Sequence, residues 1–363
     1  MKIHALFPLI IAGPAAMPAP LQAQTRYDHG DPTVYEQLML EMINRARANP
    51  PAEAARLGIG LNDGLAAGTI SPDPKPPFTF HSSLINAARG HTAWMLGSGT
   101  FSHTGAGGSS AGDRMTAAGY VFSGSWGWGE NIAWGGTSGT VDVLAHTIAR
   151  HDELFRSSGH RTNICDDFMR DTGLGIQVGS YRQLNTLMVT QKFARSGSYA
   201  DPKVTGVVFE DRDGDVFYDP GEGLAGVTVV PEGGGWEAVT SASGGYAVPY
   251  AGNSGTLTVT FSGGPVSRPI RRAVTRTGDH VKMDLSSVVA PFMEIVPGSA
   301  AYSETLGFRL QVTGTAGVSF RLQHSTDLAG WLDVSSHRME AAAMTLTHSP
   351  APELKRGFYR IQW

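Results

Sequence analysis

The most informative stretch of the chain is Gly129-Glu130-Asn131-Ile132-Ala133, which three other short segments accompany in the first half of the sequence. Two of them precede it and one follows it: Phe101-Ser-His103-Thr, Gly112-Asp-Arg-Met with Gly119-Tyr, and Ser158-Gly159-His160-Arg161-Thr-Asn163-Ile164. His103 and His160 are 57 positions apart, so only a folded chain can bring them together.

Apolar periodicity around these segments predicts three helices and two strands. Helices are expected where apolar residues recur every three or four positions: from Val34 to a stop before Pro50, from Leu84 to Gly97, and through Leu144, Ile148, His151 and Phe155. Strands are expected over residues 173–179 and 187–193, and the glycine-rich stretch 105–139 is expected to hold no regular core element. Because helices and strands do not alternate strictly, this region is predicted to be an α+β sandwich.

In their order and spacing, the four segments resemble the CAP superfamily in its bacterial, SCP-like secreted form. The helix Leu40-Glu-Met-Ile-Asn44-Arg-Ala-Arg47 is similar to the first helix of that family. The resemblance covers about residues 30–195, and we assign residues 28–197 to this domain. It implies a three-layer α-β-α sandwich with a central cleft. Two histidines and acidic residues line that cleft in the family, and some members hold a divalent metal there, often zinc.

Carried over by motif, the cleft residues are His103, Glu130 and His160. Two neutral imidazoles suit Zn²⁺ and leave positions open for water, and a nearby carboxylate can orient a ligand or accept a proton. The resemblance implies a second acid on the helix between Glu130 and His160, but there His151 shares the apolar stripe. His151 is therefore either a further cleft ligand or a hydrogen-bonded core histidine.

The second domain, residues 202–286, is predicted to be a β-sandwich that carries a calcium loop. Its short apolar runs are separated by Gly, Pro and Ser clusters, which is typical of such folds. A twelve-residue window in this domain matches the pattern of oxygen ligands that Ca²⁺ requires. It has acids at positions 1, 3, 5, 9 and 12 and a carbonyl at position 7. They are Asp211, Asp213, Asp215, Asp219 and Glu222, with the carbonyl of Phe217. Val216 occupies position 6, where an EF-hand has glycine. The region resembles the calcium-binding B-type repeats of bacterial surface adhesins, which implies a prealbumin-like sandwich.

No functional site is predicted at the two ends of the chain. Residues 1–24 read as a signal peptide, with a cation at Lys2, an apolar stretch over 5–12 and a cleavage site near Ala23. The protein is therefore expected to be secreted, either extracellular, periplasmic or at the cell surface. Residues 291–363 are strand-like, and we predict a small C-terminal all-β domain with a structural or attachment role.

The amino-acid composition argues against several classes of function. The formal net charge is −4 with 28 basic and 32 acidic residues, which argues against nucleic-acid binding, and no apolar run in the mature chain predicts a transmembrane segment. One cysteine excludes an internal disulfide. The leading hypothesis is a secreted binding protein whose cleft holds a metal or a small ligand, or which contacts a cell-surface component. The alternative is a metal-dependent extracellular hydrolase of peptidase type, so enzymatic activity stays open, as does the oligomeric state.

Overall fold

The computed structural model describes residues 24–286, 292–295, 308–314, 318–326, 329–341, 343–348 and 358–362. The proposed signal peptide therefore lies almost entirely outside the described residues. The elements of the first domain, with one short strand ahead of it, are β1 (Thr25–Arg26), α1 (Val34–Ala48), α2 (Pro50–Arg56), β2 (Thr79–Phe80), α3 (Ser82–Ser98), α4 (Ala111–Ala117), β3 (Gly127–Thr137), α5 (Val143–Arg156), α6 (Ser158–Ile164), β4 (Asp171–Tyr181) and β5 (Leu184–Arg195).

A four-stranded sheet in the order β2-β4-β5-β3 forms the middle layer of this domain. Helix α3 lies so close to β4 that a Cβ atom at Gly173 would come within 1.9 Å of the backbone of Leu84, so this position requires glycine. The opposite face of the sheet, with Leu174 and Val189, packs in one core with Leu38 of α1 and Phe155 of α5. The predicted α-β-α layering is present in this arrangement.

Local sequence signals explain where the helices begin and end. Thr33 caps α1 in a reciprocal capping box with Glu36, and the helix ends just before Pro50, which starts α2. Helix α3 runs past the predicted stop at Gly97 and ends at Gly99, whose φ of 64° places it in the left-handed region that glycine favours.

Two predictions about this domain were wrong. The stretch 105–139 holds both α4 and the eleven-residue strand β3, in which Ile132 and Ala133 are buried. Leu144 and Ile148 were expected on the buried face of α5, but each is 38% exposed. His151 and Phe155, the other two members of the predicted stripe, are buried as expected, together with Thr147 and Leu154.

The described residues of the β-rich remainder form four further sheets. The strands are β6 (Lys203–Phe209), β7 (Thr228–Pro231), β8 (Trp236–Val239), β9 (Gly245–Pro249), β10 (Thr256–Gly263), β11 (Val266–Thr275), β12 (Val281–Lys282), β13 (Leu285–Ser286), β14 (Phe292–Ile295), β15 (Phe308–Thr313), β16 (Ser319–Ser325), β17 (Leu332–Arg338), β18 (Ala343–His348) and β19 (Phe358–Gln362). None of the described helices has the length and apolar character needed to cross a membrane.

Strands β6–β13, which we call the β module, form two sheets around a shared core that includes Val208, Val248 and Val259. The orders are β1-β8-β7-β10-β11 and β12-β6-β13, with β9 paired to β6. The module packs tightly on the first domain, because Phe209 and Tyr218 belong to the same apolar core as Ile43 of α1. In the last region, strands β14-β15-β18 and β17-β16-β19 make two three-stranded sheets.

Candidate functional site

Glu130 lies at the centre of the predicted cleft, and its side chain is only 2% exposed. It sits on the edge strand β3, directly opposite Lys192 of β5 in the antiparallel ladder. The Lys192 ammonium and the Arg114 guanidinium both donate to Oε2, with Arg114 at 2.8 Å. The Nδ1 atom of His103 donates to Oε1 at 2.8 Å. Both carboxylate oxygens are therefore engaged.

Electrostatics keep this carboxylate ionised. Burial alone would raise the pKa of Glu130, but the hydrogen bond from His103 and the charges of Lys192 and Arg114 lower it to about 2. Burial also lowers the pKa of Lys192, against the attraction of Glu130, to about 8. At pH 7 the pair is therefore a buried salt bridge.

The loop that carries His103 is held in place by Arg114 of α4. The Arg114 guanidinium donates to the carbonyls of Ser109 at 2.7 Å and His103 at 2.9 Å. A Cβ atom at Gly105 would lie 2.7 Å from Arg114 Nη1, so this glycine lets the arginine cross the loop. The side chain of His103 is 57% exposed and stands at the mouth of the cleft.

His160 projects from α6 and contacts Ser157 at the start of that helix. Its Nδ1 atom is 2.8 Å from the Ser157 hydroxyl. Burial, followed by the neighbouring His103, lowers the pKa of His160, so the imidazole is neutral at pH 7. Helix α6 is fixed to β3 by Asn131, which donates to the His160 carbonyl and accepts from Asn163.

The structure does not bring all three predicted cleft residues into one tight cluster. His103, Glu130 and His160 do not form a group whose ligand atoms all lie within 4.8 Å of one another; two such groups exist among the described residues. One of these groups is Glu53, His151 and Asp152. Glu130 contacts His103 in this geometry and stays a predicted residue of the cleft.

His151 is fully buried and contacts α2 instead of the cleft histidines. Its Nε2 atom donates to Glu53 Oε1 at 2.9 Å, and burial lowers its pKa. Glu53 also accepts from Arg45 and Arg56, and Arg56 donates to Asp152 at 2.5 Å. Two arginines balance the two carboxylates, so this group is an ion-pair network rather than a cation site.

In the second predicted site, the structure brings together part of the acidic loop. Oxygens of Asp211, Asp213 and Asp215 form the other group within 4.8 Å, and Asp219 and Glu222 lie outside it. Val216 adopts a φ of 63°, the left-handed conformation that glycine provides at this position in an EF-hand loop. The Glu222 carboxylate accepts from the backbone of Arg212 and Asp219 and closes the loop.

Residues 40–193 match the family described as the cysteine-rich secretory protein family, CAP. This region is a CAP domain. The match covers less than half of the chain, and no curated protein matches the chain.

Several solved structures are similar to parts of the chain, and two of them are described as containing a related domain or a bound metal. One is an extracellular protein containing a SCP domain from Bacillus anthracis str. Ames, at 26% identity over 34% of this chain and 35% of that chain, with a TM-score of 0.25. The chain thus spans about a third of the length of that protein. The other is NaASP2 with Zn²⁺, at 18% identity over 47% of this chain and 83% of that chain, with a TM-score of 0.29.

Sequence reasoning missed two residues that shape the CAP cleft, Lys192 and Arg114. The signal for Lys192 was a lone charge in the otherwise uncharged strand run Leu187–Phe193. A buried strand tolerates such a charge only when a partner neutralises it. Arg114 stood within a quoted motif, but its reach across the loop depends on tertiary contacts.

Proposed function

We propose that this protein is a secreted binding protein whose CAP domain takes up a divalent metal ion, or a small polar ligand, through the Nε2 atoms of His103 and His160. The hydrogen bond between His103 and Glu130 carries the proposal. An ionised carboxylate only accepts hydrogen bonds, so Nδ1 of His103 must carry the proton that it shares with Glu130. The Nε2 lone pair of a neutral His103 is then available to a ligand.

The same reasoning extends to His160. Its Nδ1 atom contacts the Ser157 hydroxyl, which can accept a proton from it and leave Nε2 free. Metal-binding histidines generally use such a partner on the second nitrogen to fix the ring and its tautomer. Burial keeps His160 neutral at pH 7, which is the state a metal requires.

His103 and His160 provide the type of donor atom that Zn²⁺ prefers. Neutral imidazoles are favoured zinc ligands, and two of them leave the other coordination positions to water or to an added ligand. A bound zinc ion would supply Lewis-acid polarisation of what occupies those positions. Arg114, Lys192 and Glu130 together carry a net charge of +1. Because this charge repels a cation, we expect modest metal affinity.

The alternative, a metal-dependent hydrolase, receives less support from these contacts. A general base should have a pKa near the working pH and a free oxygen close to the attacking water. Glu130 has a pKa of about 2 and both of its oxygens accept from cationic or imidazole donors. It therefore suits an orienting role better than proton transfer.

We further propose that the β module binds Ca²⁺ at the loop 211–222. The clustered oxygens of Asp211, Asp213 and Asp215 support this, as does the left-handed Val216. Burial, and then repulsion from the neighbouring acids, raises the pKa of Asp219, and a bound cation would relieve that repulsion. Secretion itself is supported by the sequence pattern around Lys2 and Ala23 and by the CAP domain.

Titration calorimetry of the full chain with ZnCl₂ near pH 7.5 tests the cleft. We expect His103→Ala and His160→Ala each to weaken zinc binding at least about tenfold, while His337→Ala, a histidine of the last domain, binds like the unmodified protein. Equal zinc binding by all of these proteins, or none by the unmodified protein, would contradict zinc as the cleft ligand.

A further inference from the structure

A small cavity lies where the CAP domain meets the β module. Its volume is about 40 Å³, and its lining includes Arg170 and Arg195 from the CAP domain and Asp279 and His280 from the module. A single water needs roughly 10–15 Å³ of such space, so the cavity has room for about three water-sized groups. The proposed ligands of the CAP cleft and the calcium loop do not line it.

His280, which lines this cavity, carries a buried hydrogen-bond donor without a partner among the described residues. The backbone N–H of Lys203 donates to His280 Nδ1 at 3.1 Å, so in the neutral ring Nδ1 holds the lone pair and Nε2 carries the proton. Nε2 is buried and has no hydrogen-bond partner within the described structure. A buried N–H without an acceptor is costly, so an acceptor for it within the cavity would stabilise the folded protein.

The charges around the cavity indicate which kind of ligand it would bind. Arg170 donates to both oxygens of Asp279, at 2.6 and 2.7 Å, and these two charges offset each other. Arg195 has no such carboxylate among the described side chains; it donates to the Phe168 carbonyl at 3.1 Å and stacks on the Phe168 ring. The cavity therefore retains a net positive charge.

The lowered pKa of His280 is consistent with a net positive charge around the cavity. Burial is the main cause that holds it far below its usual range, and Lys203, Arg170, Arg47 and Arg195 lower it further. No acidic group counters them to a comparable degree. A ring in this field stays neutral and keeps its Nε2 proton as a donor.

We propose that the cavity binds a small monovalent anion of halide size, held by His280 Nε2–H and the Arg195 guanidinium. One negative charge neutralises Arg195 and satisfies the buried donor, whereas a cation would meet two donors and a positive field. A volume of about 40 Å³ is sufficient for a halide. Because Arg195 belongs to the CAP domain and His280 to the β module, the anion joins the two units. This site is independent of the function proposed for the CAP cleft.

Bromide substitution tests the site directly in the unmodified protein. Crystals of the full chain grown in sodium bromide should show an anomalous difference peak within hydrogen-bonding distance of His280 Nε2. Density for water alone, with no anomalous signal in the cavity, would overturn the proposal.

A solution experiment tests the two donors. The melting temperature should be higher in sodium chloride than in sodium gluconate at equal ionic strength. Arg195→Gln and His280→Asn should abolish this difference, and asparagine retains an acceptor for the Lys203 N–H. Arg156→Gln, which removes an exposed arginine of α5, should preserve it. The absence of a chloride effect, or its persistence in Arg195→Gln, would contradict the anion site.

Discussion

Lys192 of β5 and Glu130 of β3 face each other across the ladder as a buried ion pair, with side chains 0% and 2% exposed. The pair stands between the sheet and the loop of His103, and it fixes the carboxylate that orients this histidine. A buried pair of this kind is costly to break, because the remaining charge loses both its partner and its hydration.

Replacement of Lys192 by methionine should therefore destabilise the protein by about 3 kcal/mol, as measured by urea unfolding at pH 7. The value is at the lower end of the usual range because Arg114 still contacts Glu130. The double variant Lys192→Met, Glu130→Gln removes both charges and should recover part of the loss. If the double variant is no more stable than the single one, the pair does not have the energetic role described here.

The acid stability of the protein should depend on Glu130. Its pKa is lowered from 4.5 to about 2, so its contribution to stability is present above pH 4.5 and is lost as the pH falls towards 2. The difference in unfolding free energy between the protein and Glu130→Gln should shrink over this window. Glu153→Gln, at an exposed carboxylate of α5, should show a much smaller difference. A Glu130→Gln difference that does not change with pH would contradict the lowered pKa.

Ser157→Ala should weaken zinc binding without altering the fold. The Ser157 hydroxyl contacts Nδ1 of His160, and loss of such an orienting partner typically costs about 10- to 100-fold in metal affinity. Calorimetry with ZnCl₂ measures the change, and circular dichroism checks the fold. Ser123→Ala removes a hydroxyl that pairs with Ser198 and serves as the control. Unchanged zinc affinity in Ser157→Ala would remove this hydroxyl from the site.

His151→Ala should lower stability and leave zinc affinity unchanged. The substitution creates a cavity in a fully buried position and removes the donor to Glu53, for which we expect about 2–3 kcal/mol. His146→Ala, at a half-buried position on the same helix, should have a smaller effect. Lost zinc affinity with normal stability would instead make His151 a ligand.

Calcium should raise the thermal stability of the full chain, and Asp213→Ala should remove most of that increase. At a hundredfold excess over Kd, binding to the folded state alone contributes about 2.7 kcal/mol. Melting curves in calcium and in chelator measure the effect. Glu232→Ala, at an exposed acid of the same module, should keep the calcium response. Identical curves with calcium and with chelator would contradict calcium binding.

Much of the CAP region followed from local patterns. The periodicity from Val34 to Met42 and the strand runs at 173–179 and 187–193 correspond to α1, β4 and β5. These elements carry strong signals because each contributes apolar residues to the same core. Strand β3 was missed because its glycines and polar residues conceal the alternation of its side chains.

The contacts of the site depend on partners far apart in the chain. His151 was correctly placed inward, but its acceptor is Glu53, 98 positions away on α2. Lys192 lies 62 positions from Glu130 and pairs with it only because β3 and β5 are neighbours. Spacing along the sequence does not specify such neighbours, since they are set by strand order and register.

Phe209 and Tyr218 of the β module pack with Ile43 of α1 in one apolar core. The boundary between the CAP domain and the β module therefore lies inside this core. A chain cut near residue 200 would expose this surface on both pieces, and each piece would lose part of its cooperativity. The CAP domain and the β module should therefore unfold in a single transition. An exchange of the module for another β domain would have to rebuild the apolar face that α1 presents.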